Sequence, residues 1–281
     1  MTLKIVVLAK QVPDTRNVGP DAMTPEGTVN RSALPAIFNP EDLNALEQAL
    51  RLKEQFPGST ITVVTMGLPK AADVLRDALY RGADDAVLLT DRALGGADTL
   101  ATSYAISMAI RKLGLPDLII GGRQAIDGDT AQVGPQVAQK LGLDQVTYVE
   151  SVEEVCEACR KVTVTRRIDG GIEKVQAPMP CLLTITGSAP ACRPQNAKRV
   201  MKFKKAAAPA ENNAKATIAI KQRGAADIDA DLQQCGLAGS PTKVKAVQNI
   251  VFKAKESKQL TGTDADVEEL IVELLNSHTI G

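Results

Sequence analysis

The sequence predicts an α/β chain: a doubly wound, mainly parallel sheet over residues 1–150, then a β-hairpin extension, then a C-terminal arm. Two observations predict the sheet. Short apolar, β-branched runs such as Lys4–Ala9 (KIVVLA) and Thr60–Met66 (TITVVTM) read as strands buried on both faces. They alternate with segments of helical periodicity across short connections. A third observation ends the pattern. Beyond residue 150, Lys161–Ile168 alternates, Asp169-Gly170-Gly171 is a hairpin signal, and Ile172–Gln176 returns.

Each element has its own warrant. Lys10–Asp14 (KQVPD) breaks the first strand with proline, and a polar loop runs to about Leu34. Asn39-Pro40-Glu41-Asp42 starts a helix, with Asn as N-cap, Pro at the first position and acids in the first turn. Leu43, Leu46, Ala49 and Leu50 follow at helical spacing. Thr60–Met66 is the second strand, followed by Gly67 and a helix through about Arg81. Ala86–Leu89 is the third strand, and Gly95-Gly96-Ala97-Asp98 opens a helix over Thr99–Leu113. Leu118–Ile120 is the fourth strand, Val133–Leu141 a helix and Gln145–Val149 a fifth strand. Cys181–Thr186 is a further buried strand. Gly187–Gln195 is rich in proline and small residues, and the basic run Lys198–Lys205 reads as a solvated face. Ala206–Ala216 reads as a linker, and Ala265–Asn276 as an amphipathic helix. The expected division is 1–205 for the α/β domain with its hairpin and 206–281 for linker and arm.

Composition narrows the function. Lysine plus arginine equals aspartate plus glutamate at 33 each, so charge gives no case for nucleic acid or an anionic membrane. Four phenylalanines, three tyrosines and no tryptophan leave few platforms for base stacking. The apolar run Ile5–Ala9 is too short for a leader or a membrane span, and a cytoplasmic protein is expected. Five cysteines do not suggest a disulfide framework. Cys156 and Cys159 form a C-x-x-C, but Cys181 and Cys192 supply no second close pair, so reduced thiols and no metal are expected. The one histidine, His278, lies near the end of the chain. Without an internal histidine no Ser-His or Cys-His pair can form, which favours binding or electron carriage over hydrolysis. No catalytic residue is assigned.

The stretch that carries the site is Gly121–Pro135, GGRQAIDGDTAQVGP, between a buried strand and a helix start. Helix N-termini present N–H groups and a favourable dipole to anions. Gly121, Gly122, Gly128 and Gly134 would allow close backbone approach and φ > 0. Thr130 could add a hydroxyl. The other reading is a polar connection in which Asp127 or Asp129 caps the helix. In a doubly wound sheet, ligands lie beyond the carboxyl ends of strands. The loops from Leu8, Met66–Leu68, Gly95–Thr102 and Gly121–Thr130 share that edge, which favours a nucleotide site. Asp127-Gly128-Asp129 resembles a phosphatase motif, but Ala131 and the intervening Gly121–Ala125 exclude it.

KQVPD at Lys10–Asp14, NPED at Asn39–Asp42, GRQAIDGDTAQVGP at Gly122–Pro135 and RIDGGIE at Arg167–Glu173 together resemble the β subunit of electron-transfer flavoproteins. The resemblance implies an adenine-nucleotide-binding α/β fold and an obligate heterodimer with an α subunit that carries a FAD. It places the nucleotide on Leu8; on Asn39, Pro40, Glu41 and Asp42; on Met66 and Gly67; and on Arg123, Gln124, Ala125, Ile126, Asp127, Gly128, Asp129, Thr130, Ala131, Gln132, Val133 and Gly134. Gly96–Ser103, with Gly128 and Thr130, looks most like the electron-bifurcating group. There the β-bound nucleotide is a second FAD that oxidises NADH, and Asp98, Thr99, Thr102 and Ser103 would serve its extra phosphate. The implied partners are the α subunit, an acyl-CoA or related dehydrogenase, and ferredoxin or flavodoxin. The resemblance also places a docking loop on Gly187–Lys205, where its hydrophobic anchor falls near Ala189, a methyl too small to anchor strongly.

Two rivals stay open: a non-bifurcating carrier holding structural AMP in the β site, and an adenine-nucleotide-sensing regulatory module. No autonomous catalysis is expected of this chain.

Overall fold

The computed structural model describes residues 2–14, 35–242 and 260–276, in two units: one holds 2–14 and 35–242, the other 260–276. The first unit begins with β1 (Lys4–Leu8), β2 (Gln11–Pro13), β3 (Ala36–Phe38), α1 (Pro40–Gln55), β4 (Thr60–Met66), α2 (Ala72–Arg81) and β5 (Asp85–Leu89). It continues with α3 (Thr99–Leu113), β6 (Leu118–Gly122), α4 (Val133–Leu141), β7 (Asp144–Cys156), β8 (Lys161–Ile168), β9 (Gly171–Pro178) and β10 (Cys181–Ile185). It ends with α5 (Ala197–Phe203), β11 (Ala206–Ala207), β12 (Ile218–Ala219) and β13 (Lys221–Arg223). The second unit holds α6 (Asp264–Asn276).

Among the described residues, nine strands form one mixed, mostly parallel sheet in the order β13-β5-β4-β1-β6-β10-β7-β8-β9. Alternate residues of the parallel strands serve two cores. Ile5, Val7, Leu118, Ile120 and Leu183 meet α1 and α2, whereas Val6, Leu8, Ile119 and Leu182 meet α3 and α4. Burial on both faces is why these strands read as continuous apolar runs. The chain passes from β1 through α1 to β4 and β5, then crosses through α3 to β6 on the other side of β1. The switch point therefore lies between β1 and β6.

The predicted hairpin is present, with Ile168 opposite Gly171 across a turn in which Gly170 has φ +82°. The fifth strand is longer than expected. β7 pairs parallel with β10 up to Val149, then antiparallel with β8 as far as Cys156, and Tyr148 at φ +58° stands next to the change. The sequence reading missed β2 and β3, which pair antiparallel; proline in a run of three residues hides them. The polar loop expected up to Leu34 falls mostly outside the described residues.

The linker expectation for Ala206–Ala216 is corrected. Ala206, Ala207 and Ala208 are buried, β11 pairs with β12, and Arg76 binds the Glu211 carboxylate at 2.9 Å. Farther on, β13 adds to the edge of the main sheet beside β5, so the α/β unit extends to Thr242. Small side chains looked like linker composition, but alanine fits where backbones pack closely. In the second unit, Val267, Ile271, Val272 and Leu275 of α6 are about half exposed.

Cys156 and Cys159 are joined by a disulfide at the β7–β8 turn, where reduced thiols were expected. Cys181 and Cys235 are buried thiols. Burial pushes the Cys181 thiol up to about 12, so it is neither nucleophile nor ready ligand. Among the described residues no group of three or more His, Cys, Asp or Glu side chains is placed to hold a metal ion.

Candidate functional site

The parallel strands bring the loops after β1, β4, β5 and β6 to one edge, with the switch-point crevice between β1 and β6. The NPED segment stands at its floor, but not as helix capping alone. Asn39 occupies the N-cap position of α1 without capping it. Its fully buried amide instead donates to the Gln124 carbonyl at 2.9 Å and accepts from the Ile126 N–H at 3.2 Å. Pro40 needs no hydrogen bond at the first helical position. Glu41 accepts from the Gln124 N–H at 2.9 Å and from Arg123 Nη2 at 3.1 Å. Asp42 bridges the crevice, accepting from Gly122 N–H at 2.9 Å and Lys10 N–H at 2.8 Å.

These side chains are spent on the protein's own backbone, so their role is to set the loop after β6. Burial pushes the Asp42 carboxyl up to about 7, against the opposing pull of the Asn39 amide and the two N–H donors. Arg123 is held by Glu41 and lies over the Tyr148 ring, 5.4 Å from its centroid.

The loop itself departs from expectation. Gly121, Gly122, Gly128 and Gly134 do not take φ > 0; Asp129 and Ala131 do, at +48° and +52°. Gly122 is required by packing, since a Cβ there would lie 2.4 Å from Asp42 Oδ1. At Gly134 a Cβ would meet the Thr184 methyl at 2.8 Å, so glycine lets α4 start close over β10. Gly128 alone of the four has nothing within 4 Å of a Cβ. Neither Asp127 nor Asp129 caps α4. Asp127 pairs with Lys10 at 2.7 Å, and Asp129 accepts from Gln124 Nε2 at 2.7 Å. Ala125 turns the loop by accepting from the Asp129 N–H at 2.9 Å. The N-cap of α4 is Gln132, which makes no side-chain cap. The N–H groups of Val133 and Gly134, in the first turn, have no intrahelical acceptor by helix geometry.

Beside it stands the start of α3. Thr99 Oγ1 donates to Gln132 Oε1 at 2.8 Å, which ties the two helix starts together. Asp98 caps α3 by accepting from Ala101 N–H at 3.0 Å. Its other oxygen accepts from the Thr242 N–H at 3.1 Å, and its own N–H donates to Ser240 Oγ at 2.8 Å. Partial burial raises the Asp98 carboxyl, yet these N–H donors win and hold it below its usual range. Ser103 is fully buried, and its hydroxyl donates to the Leu100 carbonyl at 2.8 Å. Thr102 is partly exposed on the same turn. Leu8 places its side chain in the core, against Gly121. Met66 and Gly67 lie on the far side of β1, where the Gly67 N–H donates to the Leu89 carbonyl at 3.0 Å.

The arrangement offers donors that suit an anion. The Thr130 side chain is exposed at the loop tip, the α4 N–H groups face the same edge, and Thr184 Oγ1 beneath Gly134 is buried without a partner among the described residues. Residues 26–216 match the Electron transfer flavoprotein domain family. The chain belongs to the electron-transfer flavoprotein family. It is 47% identical to an Electron transfer flavoprotein subunit beta of Clostridium acetobutylicum over 86% of each chain. It is 43% identical to Protein FixA of Azorhizobium caulinodans, covering 97% of this chain and 94% of that one. It is also 50% identical to the Caffeyl-CoA reductase-Etf complex subunit CarD of Acetobacterium woodii, over 65% of this chain and 68% of that one. The first of these relatives is named a beta subunit.

Sequence reasoning missed Lys10, which lies two residues past the carboxyl end of β1 and pairs with Asp127. It also missed Tyr148, whose ring lies against Arg123, and Ser240 and Thr242, which bond Asp98, each coming from a distant segment without any local motif. The expected docking anchor, Ala189, is buried in this chain's own core, and Asn44 Nδ2 donates to its carbonyl at 2.6 Å. Arg193 pins the same segment to Glu47 and Glu54 of α1. The basic run is partly structural, because Arg199 donates to the Leu79 and Ala83 carbonyls. No helix among the described residues is long and apolar enough to cross a membrane.

Proposed function

We propose that this chain is the β subunit of a cytoplasmic, bifurcating electron-transfer flavoprotein. It would hold a FAD at the switch-point crevice that oxidises NADH. Electrons would then pass singly to the FAD of an obligate α subunit and to ferredoxin or flavodoxin, in service of an acyl-CoA or related dehydrogenase. The observation that carries the nucleotide site is the tied pair of helix starts. The uncapped first turn of α4 would supply N–H donors and Thr102 and Thr130 hydroxyl donors, while Thr99, whose hydroxyl proton goes to Gln132, ties the two helix starts together.

When bound, the flavin supplies hydride acceptance and one-electron release. The residues of this chain bind and orient. Val133, Gly134 and Thr130 would take phosphate oxygens, and Asn39, Glu41 and Asp42 keep the loop that presents them in shape. Asp98 is spent as a cap, so α3 contributes hydroxyls more than N–H groups. The relative named as a subunit of a caffeyl-CoA reductase–Etf complex supports a dehydrogenase-type partner. The C-terminal arm with α6 would pack on the α subunit.

Flavin and AMP content per heterodimer, after co-expression with the α subunit and release of the nucleotides, tests the reading. Two FAD and no AMP is the expected result. One FAD with one AMP would leave a plain electron carrier. A colourless, stable homodimer would point instead to a regulatory module.

A further inference from the structure

We propose that Lys10 and Asp127 form an anion-operated latch across the switch-point crevice, in which a phosphate oxygen of the bound adenine nucleotide takes Lys10 away from Asp127. The inference rests on the nucleotide site proposed above. Lys10 lies two residues past the end of β1, and Asp127 stands in the loop after β6, so their ion pair joins the segments that leave these two neighbouring strands. The ammonium reaches both carboxylate oxygens, at 2.7 and 2.8 Å.

The backbone at each end is fixed. The Lys10 N–H is held by Asp42 at 2.8 Å, and the Ile126 N–H beside Asp127 is held by Asn39 at 3.2 Å. The side chains are not. They are 48% and 27% exposed, so water screens the pair and it exchanges readily. Arg123, by contrast, is committed to Glu41 and Tyr148 and is poorly placed to respond. Left in position, the Asp127 carboxylate would oppose a phosphate by like charge. A lysine on a flexible stem can swing from one anion to the other, and its point charge needs no fixed geometry. The latch thus favours ligands with a phosphate over the bare nucleoside.

The test uses the nucleotide-stripped heterodimer titrated calorimetrically with AMP, ADP and adenosine. Lys10→Met is expected to weaken AMP and ADP binding about tenfold or more, the worth of one charge-assisted contact, and to leave adenosine unchanged. Asp127→Asn is expected to tighten AMP binding severalfold, because it removes both the competitor and the like charge. Lys10→Arg keeps the charge and is expected to restore most of the affinity. If the pair merely braces the loop, the Lys10→Met and Asp127→Asn variants shift AMP affinity in the same direction, which overturns the latch. Equal losses for adenosine and AMP overturn it too. A wild-type heterodimer that takes up no FAD and binds neither AMP nor ADP overturns the nucleotide site and the latch with it, whereas one that takes up FAD but neither AMP nor ADP overturns the latch alone.

Discussion

Asp42→Asn removes an ionisable carboxyl from the floor of the crevice and converts one of two acceptors into a donor. In the wild type, Oδ1 accepts from Gly122 N–H at 2.9 Å and Oδ2 from Lys10 N–H at 2.8 Å. Asparagine keeps one of these, and its amide nitrogen faces the other N–H. A buried N–H left without an acceptor costs about 1–3 kcal/mol. The pH dependence is more telling. Burial raises the folded-state Asp42 carboxyl from 3.8 to about 7, so between these values the folded chain holds a proton that the unfolded chain has released. Stability that depends on Asp42 is therefore full below about pH 4 and is lost as pH rises towards about 7. At ~1.4 kcal/mol per unit the loss is roughly 4 kcal/mol. Asparagine does not titrate. Urea unfolding of both proteins, followed by circular dichroism across that window, should show wild type losing about 4 kcal/mol relative to the variant as pH rises. A difference that is flat, or that grows with pH, would refute a buried, proton-holding Asp42.

Other substitutions probe the remaining contacts. Gly122→Ala places a Cβ 2.4 Å from Asp42 Oδ1 and should cost about 2 kcal/mol or more in urea unfolding, whereas Gly128→Ala, with open space, should stay within about 0.5 kcal/mol. Thr99→Ala severs the bond to Gln132 and, with Thr130→Ala, should reduce FAD retained per purified heterodimer while the circular dichroism spectrum is unchanged. Glu47 is raised by burial but lowered further by Arg193 and Arg51, so its carboxyl sits below the usual range. Its contribution is present above the ordinary glutamate range and lost as pH falls through the folded value. Glu47→Ala should cost about 2–3 kcal/mol at neutral pH and flatten the acid limb of the stability curve. Deleting residues 260–281 should leave the α/β unit folded by circular dichroism and raise the heterodimer dissociation constant at least about tenfold, measured by analytical ultracentrifugation.

Most of the fold was legible because doubly buried parallel strands must be continuous apolar runs. Lys4–Ala9, Thr60–Met66 and Cys181–Thr186 therefore announce themselves, and the Asp-Gly turn announces the hairpin. Helix starts were legible too: Pro40 and Asp98 stand at the beginnings of α1 and α3. The sequence alone thus determined the strand and helix alternation, the edge that carries the loops and the family. It could not decide which partners the polar groups would choose. Asn39, Asp127 and Asp129 look like caps in one dimension. In the folded chain Asn39 holds the Gln124–Ile126 backbone, Asp127 finds Lys10, and Asp129 finds Gln124. Gly122 and Gly134 looked like room for a ligand, yet Asp42 and Thr184 occupy that room. Nor could it show that Ala206–Thr242 completes the sheet edge and covers the start of α3, because alanine and short polar residues carry no periodicity. The reason is physical. Backbone hydrogen bonding and apolar burial are set by local pattern, whereas a carboxylate or an amide accepts whichever donor the tertiary fold brings within about 3 Å.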